Sequence, residues 1–241
     1  MQAIILAGGQ GQRLRSVVRD VPKPLAPVAG RPFLAYLLDL LERNGVTDVI
    51  IAVGYLSEHI EREFGARWGS LALRYSVETE PLGTGGALRK ALGMVERYPV
   101  VAMNGDTYVA VDLQAMLAEH VRAGSRLTVA VRHVTNNDRY GRVEVEAGRI
   151  VGFAAGSHHT PGLVNCGVYL FGENLLDDPS LADRFSFEND FLASRVKALR
   201  PVASETAGYF IDIGVPEDFQ RAQRELPAIV REQARADLGD A

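Results

Sequence analysis

The residues 6–14 could bind phosphate, because they read Leu-Ala-Gly-Gly-Gln-Gly-Gln-Arg-Leu and directly follow an apolar run. Three glycines without side chains let backbone N–H groups approach and surround a polyphosphate, and this requires no positive net charge on the protein. Arg13, together with Lys23 in the sequence Pro22-Lys23-Pro24, would add fixed positive charges. The segment predicts a phosphate-binding turn. A purely structural connection between a strand and a helix is the alternative.

Two common phosphate-binding motifs do not fit this segment. The P-loop pattern requires a Gly-Lys-Ser/Thr triplet after four spacer residues, and no such triplet follows Gly8 or Gly9. The dinucleotide fingerprint G-x-G-x-x-G would begin at Gly9, but its last position is Leu14, where close packing of helix and strand requires Gly or Ala. A nicotinamide-dependent dehydrogenase is therefore disfavoured.

Two aspartates have the surroundings of metal ligands. Asp106, in Asn104-Gly105-Asp106, follows an apolar run, and open α/β sheets bind their ligands at the carboxyl ends of strands. Asp212 lies within the apolar residues 209–214, where an acid is costly unless it is paired or metal-bound. Mg²⁺ prefers one or two carboxylates together with phosphate oxygens and water. These residues predict a Mg²⁺ site, with a simple turn aspartate as the alternative for Asp106.

A second glycine cluster, Glu80-Pro81-Leu82-Gly83-Thr84-Gly85-Gly86-Ala87, precedes a predicted helix. Its position favours a second ligand-contacting loop. The structural alternative is an ordinary loop in which Thr84 caps the helix.

The elements that must position these residues alternate between short apolar strands and amphipathic helices. The predicted strands of the first half are residues 3–6, 49–53, 71–77 and 100–103. The predicted helices are residues 33–41, closed by Gly45, residues 85–97, and a helix capped by Asp112 that runs to residue 123. This alternation predicts an α/β fold with a Rossmann-like, mixed but mainly parallel sheet and helices on both faces.

The second half has a different pattern, which predicts antiparallel additions to the sheet. The expected strands are residues 127–131, 142–145, 149–153 and 164–171, and the expected helices are residues 186–199 and 216–226. No long linker is present, so residues 1–226 are expected to form a single domain. Residues 227–241 are expected to form a charged helical tail that frays.

Composition excludes several classes of protein. Of 241 residues, 47% are hydrophobic and 23% are charged, which is typical of a globular protein rather than a disordered chain or a disulfide scaffold. The net charge of −4 disfavours a nucleic-acid binder. The single cysteine, Cys166, is expected to be a buried strand residue. Without a signal peptide or a membrane span in the sequence, we expect a cytoplasmic protein with no membrane partner.

The stretch Gly8-Gly9-x-Gly11-x-Arg13-Leu14 with Lys23-Pro24 resembles the signature of the nucleotidyltransferases that join a nucleoside triphosphate to a sugar 1-phosphate. The resemblance extends to about residue 219 and is strongest to the D-glycero-α-D-manno-heptose 1-phosphate guanylyltransferases. It implies the nucleotide-diphospho-sugar transferase type of fold, Mg²⁺ as cofactor, and a nucleoside triphosphate, with GTP favoured, and a sugar 1-phosphate as substrates. The formation of a homo-oligomer is left open.

The resemblance also implies a role for each site residue. Arg13 and Lys23 would be catalytic, and Asp106 and Asp212 would hold the metal together. In the family, the segment around Gly83 and Thr84 lies against the nucleobase. A carboxylate at Glu80 would accept both the N1–H and the exocyclic amine of guanine. The nucleotide-binding set is Leu6, Ala7, Gly8, Gly9, Gly11, Glu80, Gly83 and Thr84, and the sugar-binding set is Asn104, Gly141, Asn165 and Glu188.

One departure from the family concerns the sugar phosphate. Where many members carry a Glu-Lys pair that binds the sugar and its phosphate, this sequence has Ala154-Ala155. A catalytically weak nucleotide-sugar binding protein is therefore one alternative, and transfer to mannose 1-phosphate or from UTP or dTTP is another. A glycosyltransferase would need an Asp-x-Asp metal motif, which Asp106-Thr107-Tyr108 does not supply.

Overall fold

A computed structural model describes residues 1–9, 22–54, 56–135, 141–154 and 161–239. The α-helices are α1 (Phe33–Arg43), α2 (Ser57–Phe64), α3 (Gly83–Leu92), α4 (Leu113–Arg122), α5 (Ala193–Leu199) and α6 (Pro216–Gly239). The strands are β1 (Gln2–Leu6), β2 (Pro27–Val28), β3 (Arg31–Pro32), β4 (Asp48–Val53), β5 (Arg67–Trp68), β6 (Leu71–Val77), β7 (Val100–Asn104), β8 (Thr107–Val109), β9 (Leu127–Val134), β10 (Arg142–Glu146), β11 (Arg149–Ala154), β12 (Gly162–Phe171), β13 (Val202–Glu205) and β14 (Phe210–Asp212). None of the described helices is long and apolar enough to cross a membrane.

The main sheet of the described chain has ten strands in the order β10-β11-β13-β9-β12-β7-β1-β4-β6-β5. Strand β1 lies in its interior and pairs in parallel with β4 and β7, and β4 pairs in parallel with β6. Strand β12 runs antiparallel to both β7 and β9. The predicted α/β fold with a mixed sheet is therefore confirmed, including the antiparallel additions from the second half.

Apolar layers cover both faces of this sheet, as the strand pattern of β1 shows. Ala3 and Ile5 point into the layer formed with α1, α4 and α6, whereas Ile4 points into the layer formed with α3 and α5. This alternation is the two-residue period of a strand that is buried on both sides. Burial on both faces leaves the carboxyl ends of the central strands as the place where polar groups can collect.

Two helix signals in the sequence are confirmed. Helix α1 ends at Arg43 and is followed by Gly45, whose φ of 75° is the left-handed conformation that favours glycine. Asp112 caps α4, because its Oδ1 accepts the N–H groups of Gln114 and Ala115, each at 2.9 Å.

Helix α3 differs from its predicted bounds, since it runs over Gly83–Leu92 rather than residues 85–97. The side chain of Gln2 explains the early end: its Oε1 accepts the N–H groups of Glu96 and Arg97 at 2.8 and 2.9 Å. These two donors are therefore satisfied outside a helix.

The two C-terminal helical segments also differ from expectation. Residues Phe187–Leu192 form a π-helix, and only Ala193–Leu199 continue as an α-helix. Helix α6 continues past the expected boundary at residue 226, with Pro227 inside it. In its distal half, Gln233 Oε1 accepts hydrogen bonds from Tyr108 and Arg43 at 2.7 and 3.0 Å.

Candidate active site

A cleft of about 450 Å³ opens at the carboxyl ends of β1, β6 and β7. This is where open α/β sheets bind their ligands. Its lining is Leu6, Ala7, Gly8, Gly9, Lys23, Pro24, Glu78, Pro81, Gly83, Thr84, Ala87, Asn104, Gly105, Asp106 and Arg184. The cleft thus brings together both glycine clusters, Lys23 and Asp106, which are far apart in the sequence.

Lys23 forms the electrostatic centre of the site because both predicted metal ligands face it. Its Nζ lies 2.6 Å from Asp106 Oδ2 and 3.9 Å from Asp212 Oδ1. The Lys23 side chain is 13% exposed, against 38% for Asp106 and 23% for Asp212, so the cluster is only partly open to solvent. Two carboxylates therefore converge on one positive charge at the edge of the cleft.

Short elements hold these three side chains in place. Lys23 lies between Pro22 and Pro24 and begins a single 3-10 turn, Lys23–Leu25. Strands β8 and β14 form a separate two-stranded ribbon in which Asp212 pairs with Thr107, and Ile213 N–H donates to Asp106 O at 2.9 Å. Gly214 N–H donates to Asp212 Oδ1 at 2.7 Å. The ribbon fixes the two carboxylates relative to each other.

Gly105, in the turn that precedes Asp106, is required for close packing. Its N–H donates to Leu6 O at 2.8 Å, and a Cβ on this residue would lie 2.5 Å from the same oxygen. Only glycine therefore lets the chain that carries Asp106 pass this close to the end of β1.

The second glycine cluster is built around the segment 183–185. A Cβ on Gly83, Gly85 or Gly86 would lie within 2.5 Å of atoms of Phe185 or Asp183. Phe185 N–H donates to Leu82 O at 3.1 Å, and Gly85 N–H donates to Phe185 O at 2.9 Å. The glycines thus allow two segments about one hundred residues apart to lie against each other, and Gly83 remains in the cleft lining.

Thr84 is not the helix cap that the alternative interpretation required, since α3 begins at Gly83 and its first residues receive no side-chain cap. Its Oγ1 accepts Phe187 N–H at 2.8 Å and donates to Glu188 Oε2 at 3.0 Å. Glu188 Oε1 accepts the Tyr169 hydroxyl at 3.1 Å, and that hydroxyl accepts Asn165 Nδ2 at 2.8 Å. Two of the predicted sugar-binding residues are therefore connected to Thr84.

The other predicted residues are placed as follows. Asn104 lines the cleft, whereas Gly141 is exposed at the start of β10 and is not part of the lining. Glu80 is also exposed and outside the lining. Gly11 and Arg13 lie outside the described residues, as does Ala155 of the Ala154-Ala155 departure.

Two charged residues in the lining were missed by sequence reasoning. Glu78 follows β6, accepts Leu82 N–H through Oε2 at 2.9 Å, and places Oε1 3.0 Å from where a Cβ on Gly8 would lie. Arg184 is exposed and forms no hydrogen bond or ion pair with any residue that the structure describes. For Glu78 the available signal was its position directly after a predicted strand; for Arg184 the sequence carries no comparable signal.

The two carboxylates beside Lys23 are suitable ligands for a divalent metal. The described residues contain no cluster of three or more His, Cys, Asp or Glu side chains that could enclose a metal by themselves. Asp106 and Asp212 nevertheless supply the one or two carboxylates that Mg²⁺ combines with phosphate oxygens and water. Their convergence on an ammonium group places a positive charge between the two carboxylates, as a bound metal would.

The fold and this cleft define an α/β protein with a ligand-sized cleft at the carboxyl ends of its parallel strands. A family model for nucleotidyl transferases matches residues 2–228, and the chain belongs to that family. Enzymes of this family generally use a divalent metal.

Individual relatives are similar over most of the chain. The D-glycero-alpha-D-manno-heptose 1-phosphate guanylyltransferase of Aneurinibacillus thermoaerophilus is 42% identical over 226 residues, which cover 94% of this chain and 98% of the relative. The mannose-1-phosphate guanyltransferase beta-B of Xenopus laevis is 34% identical over 226 residues, covering 91% of this chain and 62% of the relative. The crystal structure of HddC from Yersinia pseudotuberculosis complexed with GMP-PN has a TM-score of 0.84 and 32% identity, covering 93% of this chain and 99% of that chain.

Proposed function

We propose that the protein transfers the GMP moiety of GTP to D-glycero-α-D-manno-heptose 1-phosphate and releases pyrophosphate. The observation that carries this proposal is the position of Lys23, held by Asp106 and Asp212 in a cleft whose walls are glycine-rich. The names of the relatives support GTP and the heptose as substrates, because the similarity to the heptose enzyme extends over nearly the full length of both chains.

The reaction is an in-line displacement at the α-phosphorus of the nucleotide. An oxygen of the sugar 1-phosphate forms the new bond to this phosphorus, and the bond to the bridging oxygen breaks, so that its electron pair leaves with pyrophosphate. A phosphate oxygen is already anionic, so no general base is needed. The protein must position the two anions and balance their charge.

Lys23 is the residue best placed to stabilise the charge that develops at the α-phosphate. Its contacts with Asp106 and Asp212 orient the ammonium group before the reaction. A preorganised charge contact of this kind is worth about 10²-fold or more in rate. Asp106 and Asp212 would hold Mg²⁺, which neutralises charge on phosphate oxygens when bound. Arg13 would balance the leaving β- and γ-phosphates.

Glu78, rather than Glu80, is proposed as the carboxylate that recognises guanine. It lies in the lining beside Gly83 and Thr84, whereas Glu80 is exposed outside it. Its Oε2 accepts Leu82 N–H, and its Oε1 accepts no hydrogen bond from any described residue. The carboxylate can therefore still accept from the N1–H and the 2-amino group of guanine. Adenine and the pyrimidines do not present this pair of donors.

Arg184 is proposed as the cation that binds the sugar phosphate in place of the lysine missing at Ala155. Lys23 is already engaged with two carboxylates, whereas the guanidinium of Arg184 has no partner among the described residues. An arginine presents several N–H donors in a geometry that matches phosphate oxygens.

A screen of pyrophosphate release tests the proposal. GTP, ATP, UTP, CTP and dTTP are each combined with the 1-phosphates of D-glycero-α-D-manno-heptose, α-D-mannose and α-D-glucose, with Mg²⁺ present. We expect the highest kcat/KM for GTP with the heptose phosphate and no release without a sugar phosphate. Absence of release with every pair would contradict the proposal and favour a nucleotide-sugar binding protein.

Transfer to mannose 1-phosphate is the second candidate function. It is favoured by the 34% identity to a mannose-1-phosphate guanyltransferase across 91% of this chain. The same screen distinguishes the two candidates, because they share GTP and differ only in the sugar phosphate.

A further inference from the structure

Four side chains, Thr84, Glu188, Tyr169 and Asn165, form a continuous chain of hydrogen bonds, which we call the Thr84–Asn165 relay. Its first member lines the cleft beside Gly83. Its last member precedes Gly167, where an added Cβ would lie 2.6 Å from Asn104 Nδ2, and Asn104 also lines the cleft. The relay therefore begins at one residue of the cleft lining and ends beside Gly167, which packs against a second lining residue.

The chemistry of Glu188 sets the direction of every hydrogen bond in the relay. An ionised carboxylate only accepts, so the hydroxyls of Thr84 and Tyr169 must both donate to it. Tyr169 then accepts from the amide nitrogen of Asn165, whose Oδ1 is left to accept Gly167 N–H at 2.9 Å. Each hydrogen bond thus has a fixed direction, and no member can reorient without breaking a bond.

Two irregular backbone segments bring the members of the relay into contact. In a regular strand, Asn165 and Tyr169 would be separated by roughly 13 Å, too far for their side chains to meet. A register shift in β12 between these residues, with Gly167 at a φ of 70°, closes this gap. Glu188 lies in the π-helix Phe187–Leu192. Bulges and π-helical segments of this kind often occur at functional sites.

Tyr169 is the buried centre of the relay. Its side chain is 1% exposed, and its ring packs edge-on against Phe187 and Phe171 at centroid distances of 5.0 and 6.2 Å. Burial raises the pKa of Tyr169 well above its usual range, and the nearby Glu188 carboxylate contributes a smaller increase. The hydroxyl therefore stays protonated and donates at neutral pH.

We propose that the Tyr169 hydroxyl is a positioning group that couples the nucleotide and sugar-phosphate subsites, so that binding of one substrate strengthens binding of the other. The inference rests on the proposed function. Tyr169 is outside the cleft lining and touches neither substrate. It acts by holding Glu188 and Asn165 at a fixed position relative to Thr84, so a nucleotide that displaces Thr84 also displaces the two predicted sugar-binding side chains. Coupling between sites typically changes affinity by about 5- to 150-fold.

The test measures coupling in Tyr169→Phe, which keeps the ring and removes only the hydroxyl. The affinity for α-D-mannose 1-phosphate and for the heptose 1-phosphate is determined by calorimetry with and without guanosine 5′-(α,β-methylene)triphosphate, which cannot react. In the unmodified protein, we expect the nucleotide to tighten sugar-phosphate binding by about 5-fold or more. In Tyr169→Phe, we expect this ratio to fall to within about twofold of one, while each ligand alone binds nearly as before.

Tyr36→Phe is the matched control, because Tyr36 is also a buried tyrosine whose hydroxyl donates a hydrogen bond. Its acceptor is Val28 O, at 3.0 Å, outside the relay. It should keep the coupling ratio, and the thermal midpoints of both variants are compared first. Thr84→Val, which removes the donor at the other end of the relay, should lower the ratio in the same direction.

These outcomes distinguish a failure of the proposed coupling from a failure of the proposed function. An unchanged ratio in Tyr169→Phe, or no coupling in the unmodified protein, would refute the relay even if GDP-sugar is formed normally. If the unmodified protein forms no GDP-sugar from any substrate pair, the proposed function fails instead.

Discussion

Replacing Lys23 by Met should affect catalysis and metal binding in opposite directions. The ammonium group is proposed to stabilise the α-phosphate, so its loss should lower kcat by about 10²-fold or more. The same group neutralises Asp106 and Asp212, which are the proposed metal ligands. Without it, the two carboxylates should bind a divalent cation more tightly.

The distances give the size of the second effect. At an effective dielectric constant of about 20, charges separated by 2.6 and 3.9 Å attract by about 6 and about 4 kcal/mol. Most of this gross attraction is offset by solvent screening and desolvation, because the carboxylates are 38% and 23% exposed. A net change of about 1–2 kcal/mol remains, equivalent to metal binding about 5- to 30-fold tighter.

Calorimetry with Mn²⁺ or Mg²⁺ in the absence of nucleotide measures the metal affinity, and pyrophosphate release measures turnover. Lys197→Met is the control, since Lys197 is an exposed lysine on α5 and the same charge is lost outside the cleft lining. Metal affinity that is unchanged or weaker in Lys23→Met would refute the assignment of Asp106 and Asp212. Near-normal turnover would refute the role of Lys23.

Three further predictions concern single residues. Glu78→Gln should reduce the preference for GTP over inosine triphosphate, which lacks the 2-amino group, from about 10-fold or more to near one, as measured by kcat/KM; Glu80→Gln should leave it unchanged. Asp106→Asn should raise the Mg²⁺ concentration needed for half-maximal turnover, and an identical metal titration would count against its role. Burial raises the pKa of the Cys166 thiol to about 12 from 9.0. Because the folded state then holds this proton more tightly, its contribution to stability is complete below about pH 9 and is lost as the pH rises towards 12. Urea titrations of Cys166→Ala should therefore show a smaller loss of stability over this range than those of the unmodified chain.

The sequence predicted the elements whose signals are local. The strands around β1 are continuous apolar runs, and Asp112 and Gly45 mark helix ends by their own chemistry. Helix α3 was predicted too long because its end depends on Gln2, a residue more than ninety positions away. Local periodicity contains no information about such a contact.

The candidate site shows the same division. The positions of Lys23, Asp106 and the glycine clusters in one cleft follow from the rule that ligands bind at the carboxyl ends of strands. The choice between Glu78 and Glu80 depends on which residue faces inwards after β6 ends, and the chain there is no longer a regular strand. Gly83 was interpreted as a ligand contact, but the structure shows that it also makes room for Phe185, as Gly85 and Gly86 do for Phe185 and Asp183.

The balance of charge in the site explains how a chain with a net charge of −4 can bind two phosphorylated substrates. Among the described residues of the cleft and the Lys23 cluster, the positive side chains are Lys23 and Arg184, and the negative ones are Glu78, Asp106 and Asp212. These side chains sum to a charge of −1, and Arg13, proposed to bind the leaving phosphates, would only bring the sum to zero. Backbone N–H groups of the glycine clusters carry only partial charges, so they cannot make the site strongly positive. A divalent cation shared by the two aspartates would do so, and nucleotide affinity should therefore fall steeply when the metal is removed with EDTA, whereas a site that relied on side-chain charge would retain it.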